Sequence, residues 1–193
     1  MKNIKFLILL IAVALINCER DDICAESTQT TPRLLIEFYD AASTDDIKSV
    51  PRLTIYGDDP DITIPDNEDS SSAILVEPFE DSRVYNFTRS SAKLPLIIGE
   101  ENTETTTRFV LERDTNLRLD DDATTASNID ILEIKYQTSF KYVSRACGYK
   151  SIFNNLSVTR ENDGNVWISS AIIEDSIEQI VENENTVHVR IFF

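Results

Sequence analysis

The stretch "LEIKYQTSFKY", residues 132–142, decides the fold. Leu132, Ile134, Tyr136, Thr138, Phe140 and Tyr142 fall on every second position. Glu133, Lys135, Gln137, Ser139 and Lys141 fill the positions between. Successive side chains of a strand point to opposite faces, so this pattern gives one apolar and one wet face. It predicts a long antiparallel strand packed on one side only.

Working outward, the same alternation recurs in shorter runs. "LLIEFY" places Leu34, Ile36 and Phe38 together, and "RLTIY" does so for Leu53 and Ile55. "AILVEPF", "RVYNF" and "KLPLII" follow, with Pro95 marking an edge or a bulge because it cannot donate to a ladder. "TRFVLE" aligns Phe109 with Leu111. Beyond Cys147, "IFNNLSVTR" and "VWISS" flank Asp163-Gly164, a pair suited to a hairpin turn. "VHVRIFF" closes the chain with Val187, Val189, Ile191 and Phe193 on one face and His188 on the other. The segment "IIEDSIEQIVENE" fits both periods. Ile173, Ile177, Ile180 and Val181 suit a helix, with Asp175 and Glu178 as a capping box, while Ile173, Ile177 and Val181 also suit a strand. Extended structure is expected there, because its surroundings are all β. The expected fold is an all-β antiparallel sandwich, immunoglobulin-like in architecture. A lipocalin-like closed barrel holding an apolar ligand is the alternative.

The start of the chain follows different rules. Lys2 and Lys5 precede an apolar run from Phe6 to Ile16. That run is shorter than the ~20 residues a spanning helix takes, and has the length of a signal-peptide core. It ends Leu15-Ile16-Asn17-Cys18, which resembles a bacterial lipobox. Cys18 would then become residue one and carry the lipid. Asn17 departs from the usual small residue, so an ordinary signal peptide with a chance cysteine stays open. The expected organisation is a signal peptide over residues 1–17, a lipidated tether over 18–32 and a single β-sandwich domain over 33–193. Glu19, Arg20, Asp21 and Asp22 resemble the acidic export signal of Bacteroidota surface lipoproteins, or serve as a solvated spacer. Placement at the outer membrane, exposed at the cell surface, is expected.

Charge narrows the partners. The chain has 34 acidic and 18 basic residues. Losing Lys2 and Lys5 with the signal leaves 16 against 34, a net charge of −18. Nucleic acid is excluded as a partner, because phosphates need a basic face. Four glycines, none clustered, exclude a phosphate-cradling loop. With Cys18 lipidated, Cys24 and Cys147 remain as a pair for a disulfide in an oxidising compartment. Loop entropy puts the contribution of such a closure at no more than about 5 kcal/mol. Two free thiols are the other option.

Chemistry finds few candidates. His188 is the only histidine, and is expected to be an exposed strand residue. A Ser-His-Asp set and a zinc site both lack members. Glycosidases need only two carboxylates, but no spacing singles out a pair. No catalytic residue is expected, and no cofactor. Ca2+ is the one ion left open, at "GDDPDITIPDNEDS" (57–70) and Asp120-Asp121-Asp122. The EF-hand spacing from Asp66 fails, because Ser71 stands where glycine makes the turn. Asn86 and Asn155 head N-glycosylation sequons, which a bacterial lipobox discounts; Asp175-Ser176-Ile177 resembles a Bacteroidota O-glycosylation motif.

Asp21-Asp22-Ile23-Cys24, Thr31-Pro32, the strand around Ile36 and Phe38, "RACGYKSIFNN" (145–155) and "HVRIFF" (188–193) together resemble a family of uncharacterised flavobacterial lipoproteins. The resemblance implies the lipid anchor and the Cys24–Cys147 pairing, and no activity. The sequence therefore leads to a lipid-anchored envelope module that binds another envelope protein or a glycan. The other function classes are a barrel carrying an apolar ligand and a carboxylate hydrolase.

Overall fold

The computed structural model describes residues 23–25, 28, 31–58, 84–120, 122, 124–162 and 164–193. Among the described residues ten strands are present: β1 (Leu34–Asp40), β2 (Ser43–Ile47), β3 (Val50–Gly57), β4 (Val84–Arg89), β5 (Ser91–Leu94), β6 (Glu104–Arg113), β7 (Asn128–Ser144), β8 (Gly148–Arg160), β9 (Ser170–Ile173) and β10 (Val189–Phe192). They form two sheets. One runs β2-β1-β10-β9 with β5 also paired to β1, and the other runs β4-β3-β6-β7-β8.

The alternating runs explain the packing. Leu34, Ile36, Phe38, Val189 and Ile191 of the first sheet share one buried cluster with Leu53, Ile55, Leu111, Leu132, Ile134 and Tyr136 of the second. Each such side chain contributes about 1.5–3 kcal/mol when fully buried. The chain is an all-β sandwich. Among the described residues neither sheet closes on itself, so the lipocalin-like barrel does not form. Among the named strands one pair departs from the antiparallel expectation: β1 and β10 pair in parallel, from Ile36 with Val189 to Tyr39 with Phe192. Parallel neighbours normally need a long crossover. The first and last strands avoid that constraint, since the whole domain lies between them.

Three residues that break the ladders take left-handed backbone. Arg52 and Asn86 have φ of 47° and 54°, and Asn155 has φ of 54°. Each sits where the strand register shifts. Asparagine tolerates this region better than most residues, and an extra residue in one strand bends it. Asn86 and Asn155 thus serve as bulge residues.

Two local expectations are corrected. The segments on either side of Asp163-Gly164 do not pair as a hairpin, because β8 and β9 lie in different sheets; Asp163 itself lies outside the described residues. Gly164 does take positive φ, at 88°. The chain crosses between the sheets here, held by buried Asp130: its Oδ2 accepts the Trp167 amide at 3.1 Å and the Ile168 amide at 2.7 Å. Residues 173–181 form neither a helix nor a continuous strand. A single 3-10 turn covers Asp175–Ile177 without a side-chain cap, and Glu178 and Gln179 take positive φ. Val181 then exchanges backbone hydrogen bonds with Phe153. That exchange covers the outer edge of β8, which would otherwise expose unpaired amides.

Candidate functional site

β7 and β8 form a hairpin longer than the core it packs on. The inward face of β7 is buried at Asp130, Leu132, Ile134, Tyr136 and Thr138. The same face continues through Phe140 and Tyr142, which are 44% and 54% exposed. This corrects the expectation of one continuous buried face, because the opposing sheet ends before the strand does. Tyr149, directly across from Tyr142, is 69% exposed. The two rings meet edge to face, 5.5 Å between centroids. Gly148 follows Cys147 at the tip and takes φ of 68°, which a side chain would strain.

Cys147 sits at that tip, bonded to Cys24 with an S–S distance of 2.02 Å and 4.8 Å between Cα atoms. Thr31 also meets this hairpin, its Oγ1 accepting the Ser151 amide of β8 at 3.4 Å, and three residues on β1 begins. The N-terminal tether therefore meets the fold at the hairpin tip. The opposite end carries the helical turn Asn116–Leu119, the 161–169 crossover and the C-terminal Phe193.

A family model described as a family of unknown function (DUF6452) matches residues 52–193. The chain belongs to that family. In this DUF6452 chain the match takes in the whole β7–β8 hairpin with Cys147, and the "HVRIFF" terminus. Cys24 and Thr31-Pro32 precede it. Comparison with the curated proteins and with the solved structures gave no match.

The hairpin of this DUF6452 protein also carries an electrostatic signature that strand periodicity does not register. Residues 134–160 include Lys135, Lys141, Arg145, Lys150 and Arg160 and no Asp or Glu. The whole chain has a net charge of −16. Counting charge by segment finds this void directly. Glu182 reaches the hairpin from outside, bonding Lys141 and lying 3.9 Å from the Lys150 ammonium. The Lys141 hydrogen bond is the main cause holding the Glu182 carboxyl below its usual range.

The other candidates fall elsewhere. His188 is 1% exposed, which overturns the expected exposed strand histidine. β10 begins one residue later, and His188 Nδ1 accepts the Leu35 amide at 2.8 Å. Burial lowers its pKa, partly opposed by a hydrogen bond to the Asn183 backbone and by the charge of Glu184. A neutral imidazole with both nitrogens engaged has no lone pair left to act as a base. Of the acidic loops, residues 59–70 lie outside the described residues, as do Asp121 and Cys18. Asp120 Oδ1 accepts from the Asp122 amide and Thr125, and Asp122 Oδ1 accepts from Thr124. These carboxylates are closing turns. Among the described residues no group of three or more His, Cys, Asp or Glu stands together to hold a metal ion.

At the far end Glu112 is fully buried. It accepts two hydrogen bonds from Arg118, at 2.7 and 3.2 Å, and one from Ser127. Nearby Tyr56 is pushed up to about 12, first by burial and then by the charge of Glu112. The pair fastens the loop 114–127 onto the sandwich.

Proposed function

We propose that this protein is a lipid-anchored module of the bacterial outer membrane that binds an envelope protein or glycan and has no catalytic role. The observation that carries this reading is the Leu15-Ile16-Asn17-Cys18 sequence after a short apolar run. The Cys24–Cys147 bond supports it, because such bonds persist in oxidising compartments. The buried, fully engaged His188 supports the non-catalytic part. In this reading Cys18 carries the acyl chains, and the charged run Glu19, Arg20, Asp21 and Asp22 leads the chain to the surface. The loops 114–127 and 161–169, farthest from the tether, face outward and carry the binding contacts.

Intact mass of the membrane-extracted protein tests the anchor. The expected species begins at Cys18 and bears a diacylglycerol with a further acyl chain. A species that keeps residues before Cys18 and bears no acyl group contradicts the proposal.

A further inference from the structure

We infer that the tip of the β7–β8 hairpin is a lipid-contacting surface, with Phe140, Tyr142 and Tyr149 seated at the headgroup level of the membrane that holds the chain. The inference rests on the lipid-anchor reading and deepens it, from attachment to orientation.

Three observations carry it. Phe140, Tyr142 and Tyr149 are all exposed on one hairpin, beyond the end of the core, and Ile23, next to disulfide-bonded Cys24, is 82% exposed. Tyrosine suits a membrane–water boundary because its ring is apolar and its hydroxyl is wet. The second observation is reach. Cys18 is six residues from Cys24, a span of at most about 20 Å. Without the disulfide the leash would run to Arg33, fifteen residues from Cys18, or roughly 50 Å. The bond thus keeps this tip, and no other part of the fold, next to the acyl chains. The third is charge. Arg145 at the turn and Lys141, 53% exposed beside its partner Glu182, flank the aromatic residues in a stretch whose own sequence holds no acid, while Lys150 is turned onto Glu182. Anionic headgroups repel the acidic body more strongly than this acid-free hairpin, so charge orients the domain the same way as the leash.

The test places an indole at the tip through Tyr149→Trp. Trp167 is buried and lies at the opposite end of the sandwich, so it reports as an internal control. The acylated full chain is reconstituted in vesicles of phosphatidylethanolamine with a minority of phosphatidylglycerol, with and without brominated acyl chains. The introduced indole is expected to shift to the blue and lose more than half its emission to the brominated lipid, while Trp167 is unaffected. Adding Cys24→Ser lengthens the leash and is expected to reduce that quenching. Tyr142→Trp supplies a second reporter if the first variant folds poorly. A protein that floats with the vesicles while both introduced indoles stay unquenched overturns the inference and leaves the anchor standing. An indole shifted only by added envelope protein assigns the surface to a protein partner and overturns the lipid contact. A protein that does not float, and whose mass shows no acyl group, removes the anchor reading and the inference with it.

Discussion

Arg33 grips Glu184 with both sides of its guanidinium, Nε to Oε1 at 2.9 Å and a terminal nitrogen to Oε2 at 3.0 Å. The Arg33 amide donates to the same carboxylate at 2.9 Å, and Lys93 adds a contact at 2.9 Å. The end of the tether, β5 and the approach to β10 are thereby joined at one side chain.

Acid should loosen this junction in two stages. Burial alone would raise the Glu184 pKa, but the bonds from Arg33 and Lys93 bring it down to about 2. A depressed carboxylate stabilises the fold above its unfolded value of 4.5, and that stability is lost as the pH falls toward about 2. His188 comes first. Its pKa is lowered from 6.5, chiefly by burial, so the unfolded chain takes up a proton more readily than the folded one. Stability is therefore full above pH 6.5 and declines below it. Urea midpoints measured from neutral pH downward should begin to fall below that value in the wild type. Glu184→Gln should flatten the lower part of the curve and, by removing a charge that partly holds the His188 pKa up, deepen the decline in the upper part.

The Glu112–Arg118 pair gives the largest predicted loss outside the hydrophobic core. Arg118→Ala leaves a fully buried carboxylate without its cation. Removing one member of a buried pair costs about 3–5 kcal/mol. Equilibrium denaturation should show that loss. Glu112→Gln with Arg118→Met together should cost less than Arg118→Ala alone.

Tyr136 reaches across the sandwich to donate to the Ile97 carbonyl at 2.7 Å, and its hydroxyl also meets Thr107 Oγ1 at 2.6 Å. Tyr136→Phe removes the donor to the Ile97 carbonyl and one partner of buried Thr107, and should cost about 0.5–1.5 kcal/mol. Trp167 emission in the folded variant should be unchanged, since the ring still packs edge-on against Phe153, 5.0 Å between centroids.

Reduction of the disulfide should lower stability while keeping the sandwich. The bonded cysteines are 123 residues apart in sequence, but Cys24 lies outside the strands. Losses of about 2–4 kcal/mol are typical for such a closure. The urea midpoint should fall on adding reductant, and the Trp167 spectrum, reporting on the opposite end, should stay native.

Some of this was legible in the sequence, and the rest failed for identifiable reasons. The 132–142 alternation gave β7 and its buried face through Thr138. Periodicity within one strand does not say where the opposing sheet stops, so the exposure of Phe140 and Tyr142 was hidden. His188 was misread because its burial depends on the Leu35 amide, 153 residues away. Asp163-Gly164 announced a turn without announcing that the chain changes sheets there, which Asp130 decides by gripping Trp167 and Ile168. Pro95 sits just past β5, consistent with the edge it predicted. The acid-free span 134–160 was readable all along, but only by counting charge segment by segment.

The Cys24–Cys147 bond staples the N-terminal tether to the hairpin tip. Unreduced tryptic mapping of membrane-extracted protein, with free thiols alkylated first, tests this most directly. The predicted species joins Asp21–Arg33 to Ala146–Lys150, at their summed mass less the hydrogens lost on oxidation. Recovery of the same two peptides separately, each alkylated at Cys24 or Cys147, would contradict it.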